Sequence, residues 1–110
     1  MAVTFKNEQA SLTASLTTLY TAPDNTIAII EAVTATNTDG AARTIDVHLV
    51  PSGDIGGADN IYIDGKSVAA GEDQALDTII AHNLQPGGSI QALADVTSVV
   101  NLRVSVREIS

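Results

Sequence analysis

The sequence predicts an all-β fold, an antiparallel β-sandwich of about seven or eight strands with jelly-roll or immunoglobulin-like architecture. Three observations carry this reading. Apolar and polar residues alternate along several segments, most cleanly over residues 100–107, where Val100, Leu102, Val104 and Val106 interleave with Asn101, Arg103, Ser105 and Arg107. Clusters rich in Gly, Pro, Asp and Asn divide the chain at intervals of roughly 8–12 residues. Between them Val, Ile and Thr dominate, the side chains that fit a pleated surface.

The stretch 19–37 shows all three features. Pro23 fixes its own φ and biases Ala22 toward extended backbone, and Asp24 and Asn25 suit a turn. From Thr26 the chain reads as a strand, with Ile27, Ile29, Val33 and Ala35 assigned to one face. Glu31 interrupts that face and predicts a bulge or a rim position. A helix is the rival reading, disfavoured by the lack of i, i+4 order and by the flanking turns.

The other elements follow in order. Residues 1–14 read as an N-terminal arm or edge segment, with residues 15–110 as a single sandwich domain. Phe5, the lone phenylalanine, is a candidate anchor on a partner; an edge strand, or a Phe folded onto its own core, is the alternative. Leu12, Leu16 and Leu19 fit a helical stripe, but the surrounding threonines favour a strand through Tyr20. Thr38-Asp39-Gly40 is a turn. In the next strand Ile45, Val47 and Leu49 point inward, and Asp46 and His48 point out. A Gly-rich acidic loop runs from Pro51 to Asn60. Ile61 to Ile63 is a short strand, and turns follow at Asp64-Gly65 and at Ala70 to Asp73. Residues 75–81 read as a strand, or as a short helix; Gln85-Pro86-Gly87-Gly88 is a turn, and Ser89 to Ala94 is a strand with Ile90, Ala92 and Ala94 on one side.

Composition narrows function. The net charge of −8 argues against nucleic-acid binding, because phosphate contacts need a basic face, and disfavours anionic membranes. No apolar run has transmembrane length and no signal-peptide core is visible, which leads us to expect synthesis in a cytoplasm. Cysteine is absent, and aromatic residues make up 3% of the chain, so Ile, Val, Leu and Ala must form the core. Such a core suits sheet-on-sheet packing better than a deep pocket.

No set of residues carries a catalytic or cofactor motif. His48 and His82, the two histidines, lack partners at metal-ligand spacing, and no serine lies in a nucleophile-elbow pattern. His48 is assigned to a surface or interface. Asp54, Asp59, Asn60 and Asp64 offer oxygen ligands over a short span and are weak calcium candidates, although the spacing is not that of an EF-hand. A solvated loop or a subunit contact is the alternative. Arg103 and Arg107 share the outer face of the last strand and are interface candidates, since Arg is favoured where carboxylates are met across an interface. The alternative is that they balance neighbouring acids.

The order of features is similar to one known group. Leu19-Tyr20-Thr21-Ala22-Pro23 opens an Ile/Thr strand ending at Asn37-Thr38; Leu84-Gln85-Pro86-Gly87 leads into Ser89-Ile90-Gln91-Ala92; an alternating Val strand closes the chain. This resembles the small β-sandwich structural proteins of tailed bacteriophages, found as capsid decoration proteins or as tail and fibre accessory modules. The likeness runs from about Leu16 to Ile109. Related patterns often carry an acidic residue after the Pro-Gly pair, and here Gly88 stands there. The resemblance implies a non-enzymatic virion protein without cofactors, a homo-oligomer with trimers favoured, that binds the major capsid protein or another virion protein and stabilises the outer shell. Its alternative is a tail or fibre module binding host-surface carbohydrate, for which Tyr20 and Tyr62 provide few stacking surfaces. An enzyme is the third class considered, with only abundant Asp and Ser in its favour.

Overall fold

A computed structural model describes residues 2–110; Met1, the first residue of the expected 1–14 arm, lies outside the described residues. Among the described residues nine strands form two antiparallel sheets: β1 (Val3–Ser11), β2 (Thr17–Thr21), β3 (Ile27–Asn37), β4 (Arg43–Val50), β5 (Ile61–Val68), β6 (Asp73–Ala75), β7 (Asn83–Leu84), β8 (Ser89–Ala94) and β9 (Val100–Ile109). The first sheet runs β1-β9-β3-β6, with β7 also paired to β3; the second runs β2-β8-β4-β5. Apart from the β4–β5 hairpin, and β6 and β7 lying together on the flank of β3, successive strands alternate between sheets. That order is the jelly roll, which decides between the two architectures the sequence left open.

The core lies between the sheets and is aliphatic. Ile30, Val33, Leu102 and Val104 meet Ile45, Val47, Ile90 and Ala92 across the interface, all almost fully buried. In β9 the observed burial follows the sequence pattern, with Val100, Leu102, Val104 and Val106 inside. The bulge expected at Glu31 is present: the register of β3 against β9 shifts between Ile30 and Ala32. It also corrects the assigned face. Before the bulge Ala28 and Ile30 are the buried residues, and Ile27 and Ile29 lie on the outside; after it Val33 and Ala35 turn inward. One extra residue reverses the alternation.

Two further expectations are corrected. Asp64-Gly65 is not a turn but an irregularity inside β5, where the register against β4 shifts and Gly65 takes a φ of 64°. Its N–H donates to Asp46 Oδ1 at 2.7 Å. Residues 75–81 are not one strand: β6 ends at Ala75 and a 3-10 turn covers Asp77–Ile79. Leu76 and Ile79 are buried there, so three-residue spacing plugs the end of the core better than alternation would.

Tyr20 is the one aromatic side chain in this core. From β2 its hydroxyl crosses to β9 and donates to Glu108 Oε2 at 2.5 Å. Burial pushes the phenol pKa upward, the bond to Glu108 adds to this, and the charges of Glu108 and Glu8 act in the same direction. A raised folded-state pKa on a tyrosine contributes stability that is present below its unfolded value, about 10, and is lost as pH rises toward the folded one. Tyr20→Phe should therefore cost about 1–2 kcal/mol at neutral pH. It should also flatten the alkaline limb of a stability profile measured by urea unfolding above roughly pH 10.

Candidate interaction surface

The outer face of the first sheet is built from three adjacent strands whose registers put residues in rows. Val3, Ile109 and Ile27 form the first row; Phe5, Arg107 and Ile29 form the second. Then come Asn7, Ser105 and Ala32, followed by Gln9, Arg103 and Thr34. The face thus grades from apolar at one end to polar at the other. Phe5 is 71% exposed, Val3 54% and Ile27 39%. Five large apolar side chains around one arginine are an uncommon outward face for an isolated domain.

Arg107 sits in the middle of that apolar end, and its charge is met within the chain. Its Nε lies 3.2 Å from Glu31 Oε1, an ion pair rather than an aligned hydrogen bond. The bulge makes this contact, because the extra residue in β3 carries the Glu31 carboxylate onto the outer face opposite Arg107. Arg103 stands two rows away, exposed, beside Asn7, Glu8 and Gln9. It has no ion pair among the described residues. So Phe5 joins Arg103 and Arg107 on the strand face the sequence assigned to the two arginines, a meeting that its own position in the sequence did not reveal. Ile27, Ile29 and Val3 belong to the same face and were missed. The available signal was the run Ile27-Ala28-Ile29-Ile30, apolar on both sides of a strand.

His48 does not join them, which corrects its assignment to a surface. It lies on the outer side of the other sheet but is 6% exposed, because the 51–60 loop folds back over it. Its Nδ1–H donates to Asn60 Oδ1 at 2.9 Å, the same oxygen accepts the Gly57 N–H at 3.0 Å, and Asn60 Nδ2 donates to the Ile55 carbonyl at 2.8 Å. Asn60 is therefore a loop fastener. The remaining calcium candidates form no ligand group: Asp54 caps the Ile55 N–H at 2.9 Å, Asp59 lies exposed in the 51–60 loop, and Asp64 lies in the β5 irregularity. Among the described residues no three His, Asp or Glu side chains are grouped as metal ligands.

A smaller polar cluster joins β5 to the 3-10 turn. The Tyr62 hydroxyl donates to the Thr78 carbonyl at 2.9 Å, so the His82 Nε2–H donates to it at 2.6 Å. The two rings meet edge to face, with centroids 4.5 Å apart. Asp39 and Arg43 form a close ion pair at the β3–β4 turn, and the guanidinium, with the Gly40 N–H, holds the Asp39 carboxyl below its ordinary range.

No protein-family model matches the chain, and no curated protein matches it by sequence. Solved structures do match by shape. A subunit of the Bacillus endospore appendages, described as a novel family of disulfide-linked pili, superposes with a TM-score of 0.59 at 11% identity, covering 99% of this chain and 87% of that one. What is shared is the fold. A chain from the crystal structure of the T13 particle of infectious bursal disease virus superposes with a TM-score of 0.55 at 10% identity. That match covers 96% of this chain but 30% of the viral one, so this jelly roll corresponds to a part of a larger protein there. No helix is long and apolar enough to cross a membrane among the described residues.

Proposed function

We propose that this chain is a non-catalytic structural module that works in many copies on a virion, docking on the shell through the outer face of its first sheet. The observation that carries the reading is that face: Val3, Phe5 and Ile27 exposed, with Ile29 and Ile109 half-buried beside them, around an arginine already neutralised by Glu31. Burying it removes apolar area from water without stranding a charge. A small contact repeated by symmetry over a shell holds through multivalency rather than through single-site affinity. Capsid decoration, with the major capsid protein as partner, is the form of this proposal that the phage resemblance supports.

A second reading is favoured by the coverage of the pilus subunit, which matches over nearly all of both chains. In it, copies of this chain form a surface filament. With no cysteine in the sequence, such a filament lacks the disulfide links described for those pili. The carbohydrate-binding alternative loses an aromatic platform, since Tyr20 is buried and Tyr62 meets His82 edge-on.

Immunogold labelling of particles and cells from the source culture separates these readings. Label spread over particle heads is the expected result. Label on cell-surface filaments overturns the virion setting in favour of the second reading, and label on neither overturns both. Phe5→Asp should abolish co-sedimentation with particles. It should shift monomer stability by only about 0.5 kcal/mol, because an exposed side chain loses little on replacement.

A further inference from the structure

We infer that β1 pairs antiparallel with β1 of a second copy, about a two-fold axis at Asn7, joining the first sheets of both copies into one continuous sheet. Four places in the fold could accept an added strand, and three are blunted. β6 and β7 have three and two residues. β5 is broken by register shifts around Asp64-Gly65, and β2 has five residues with a shift between Thr18 and Tyr20. Short or bulged edges of this kind resist pairing. β1 has neither protection: all nine residues run in unbroken register with β9, and every residue except Ala10 is exposed.

The ladder fixes which backbone groups are open. Ala2 and Ser110 exchange both hydrogen bonds, at 2.9 and 3.0 Å, and Leu12 N–H reaches the Val100 carbonyl at 2.8 Å. Even-numbered residues of β1 therefore bond to β9. Val3, Phe5, Asn7, Gln9 and Ser11 aim their N–H and C=O groups at the open edge.

The side chains then choose a register. Lys6 and Glu8 stand on the same face of β1, both exposed, and neither is in an ion pair among the described residues. With the axis at Asn7, Val3 faces Ser11, Phe5 faces Gln9, and Lys6 faces Glu8 of the other copy, twice by symmetry. These two charge pairs fall at the non-hydrogen-bonded positions, where facing side chains are closest. This register also overlaps all nine residues of the strand. Moving the axis to Lys6 or to Glu8 sets each against its own copy, like charge on like. The charges that guard the edge against other registers favour this one. Because the axis is perpendicular to the sheet, both apolar patches end on the same outer surface.

The pairing stands on the edge of β1 and not on the virion reading, so immunogold labelling and the following measurements fail separately. Sedimentation of the full chain over a concentration series should show a monomer–dimer equilibrium. Lys6→Glu should weaken it about tenfold, since two facing pairs turn repulsive, and adding Glu8→Lys should restore it. Lys66→Glu, an equal change in net charge on β5, should leave it unchanged. Because the chain has no cysteine, Asn7→Cys gives a second, independent readout. Its sulfur faces its own copy across Cα atoms about 5.5 Å apart, within disulfide reach. Oxidation should give a covalent dimer, whereas Phe5→Cys, whose copies lie roughly 13 Å apart along the strands, should not. A chain that stays monomeric throughout, an unrescued double swap, or equal cross-linking at both positions overturns the inference.

Discussion

Leu102→Ala should cost about 4 kcal/mol, near the upper end for leucine truncation. Leu102 is fully buried near the start of β9, the strand that pairs with both β1 and β3. Its neighbours across the sheet are Ala10 and Ala35. Two alanines flanking a leucine leave it as the knob that fills the space between the sheets, and neither has mass to slump into the gap left behind. The backbone cannot close that gap either, because β9 is held by ladders on both sides. The cavity therefore persists, and its cost adds to the lost transfer energy. Against a total stability of about 5–15 kcal/mol, this is a large fraction, corresponding to a fall of roughly 20 °C in Tm for a domain of this size. Asn101→Ala, one residue away on the exposed outer face, should stay within about 0.5 kcal/mol. Calorimetry on the two variants checks the contrast. A loss below about 2 kcal/mol for Leu102→Ala would mean that the core relaxes around the site.

The contrast between positions 101 and 102 was legible in the sequence because strict alternation over residues 100–107 of β9 has one reading. The same holds for β8 and for the turns at Pro23, Gly40 and Pro86. Where the pattern failed, a physical reason is visible. Residues 27–30 are apolar on both sides, so alternation could not say which side was in; the two-sided pattern was itself the trace of the exposed patch. The bulge at Glu31 was legible as a break, but its consequence, a reversal of phase in one half of β3, depends on which half keeps the inward register. Gly65 suits a turn and a bulge equally, since both use positive φ. His48 was placed on the correct side of its strand and still misjudged, because its burial comes from the 51–60 loop, a long-range event that no local pattern encodes. That Phe5 joins the face shared by Arg103 and Arg107 was hidden for the same reason. It arises from the pairing of β1 with β9, whose residues lie at opposite ends of the chain.

Asn37 carries the second large effect, and it depends on hydrogen bonds rather than volume. Asn37 closes β3 and is 1% exposed. Its Nδ2 donates to the Ala41 carbonyl at 2.9 Å and to the Val68 carbonyl at 3.0 Å, and its Oδ1 accepts the Asp39 N–H at 2.9 Å. These partners fix the amide orientation, since nitrogen must face the two carbonyls. One side chain thereby ties the end of β3 in one sheet to the β3–β4 turn and to the end of β5 in the other. Asn37→Ala strands these groups away from water and should cost about 2–3 kcal/mol. Asn37→Asp should be worse above about pH 5, although it keeps the shape, because a carboxylate oxygen replaces the donor and faces two carbonyl oxygens. That carboxyl would be held protonated by its surroundings, raising its folded pKa. The sign follows from this: the Asp variant regains stability as pH falls, because the neutral acid can donate once more. Urea unfolding of wild type, Asn37→Ala and Asn37→Asp at acidic and neutral pH tests both statements. The Asp variant should cross above the Ala variant on acidification, and two parallel lines would show that the amide donor is not what holds this end of the sandwich.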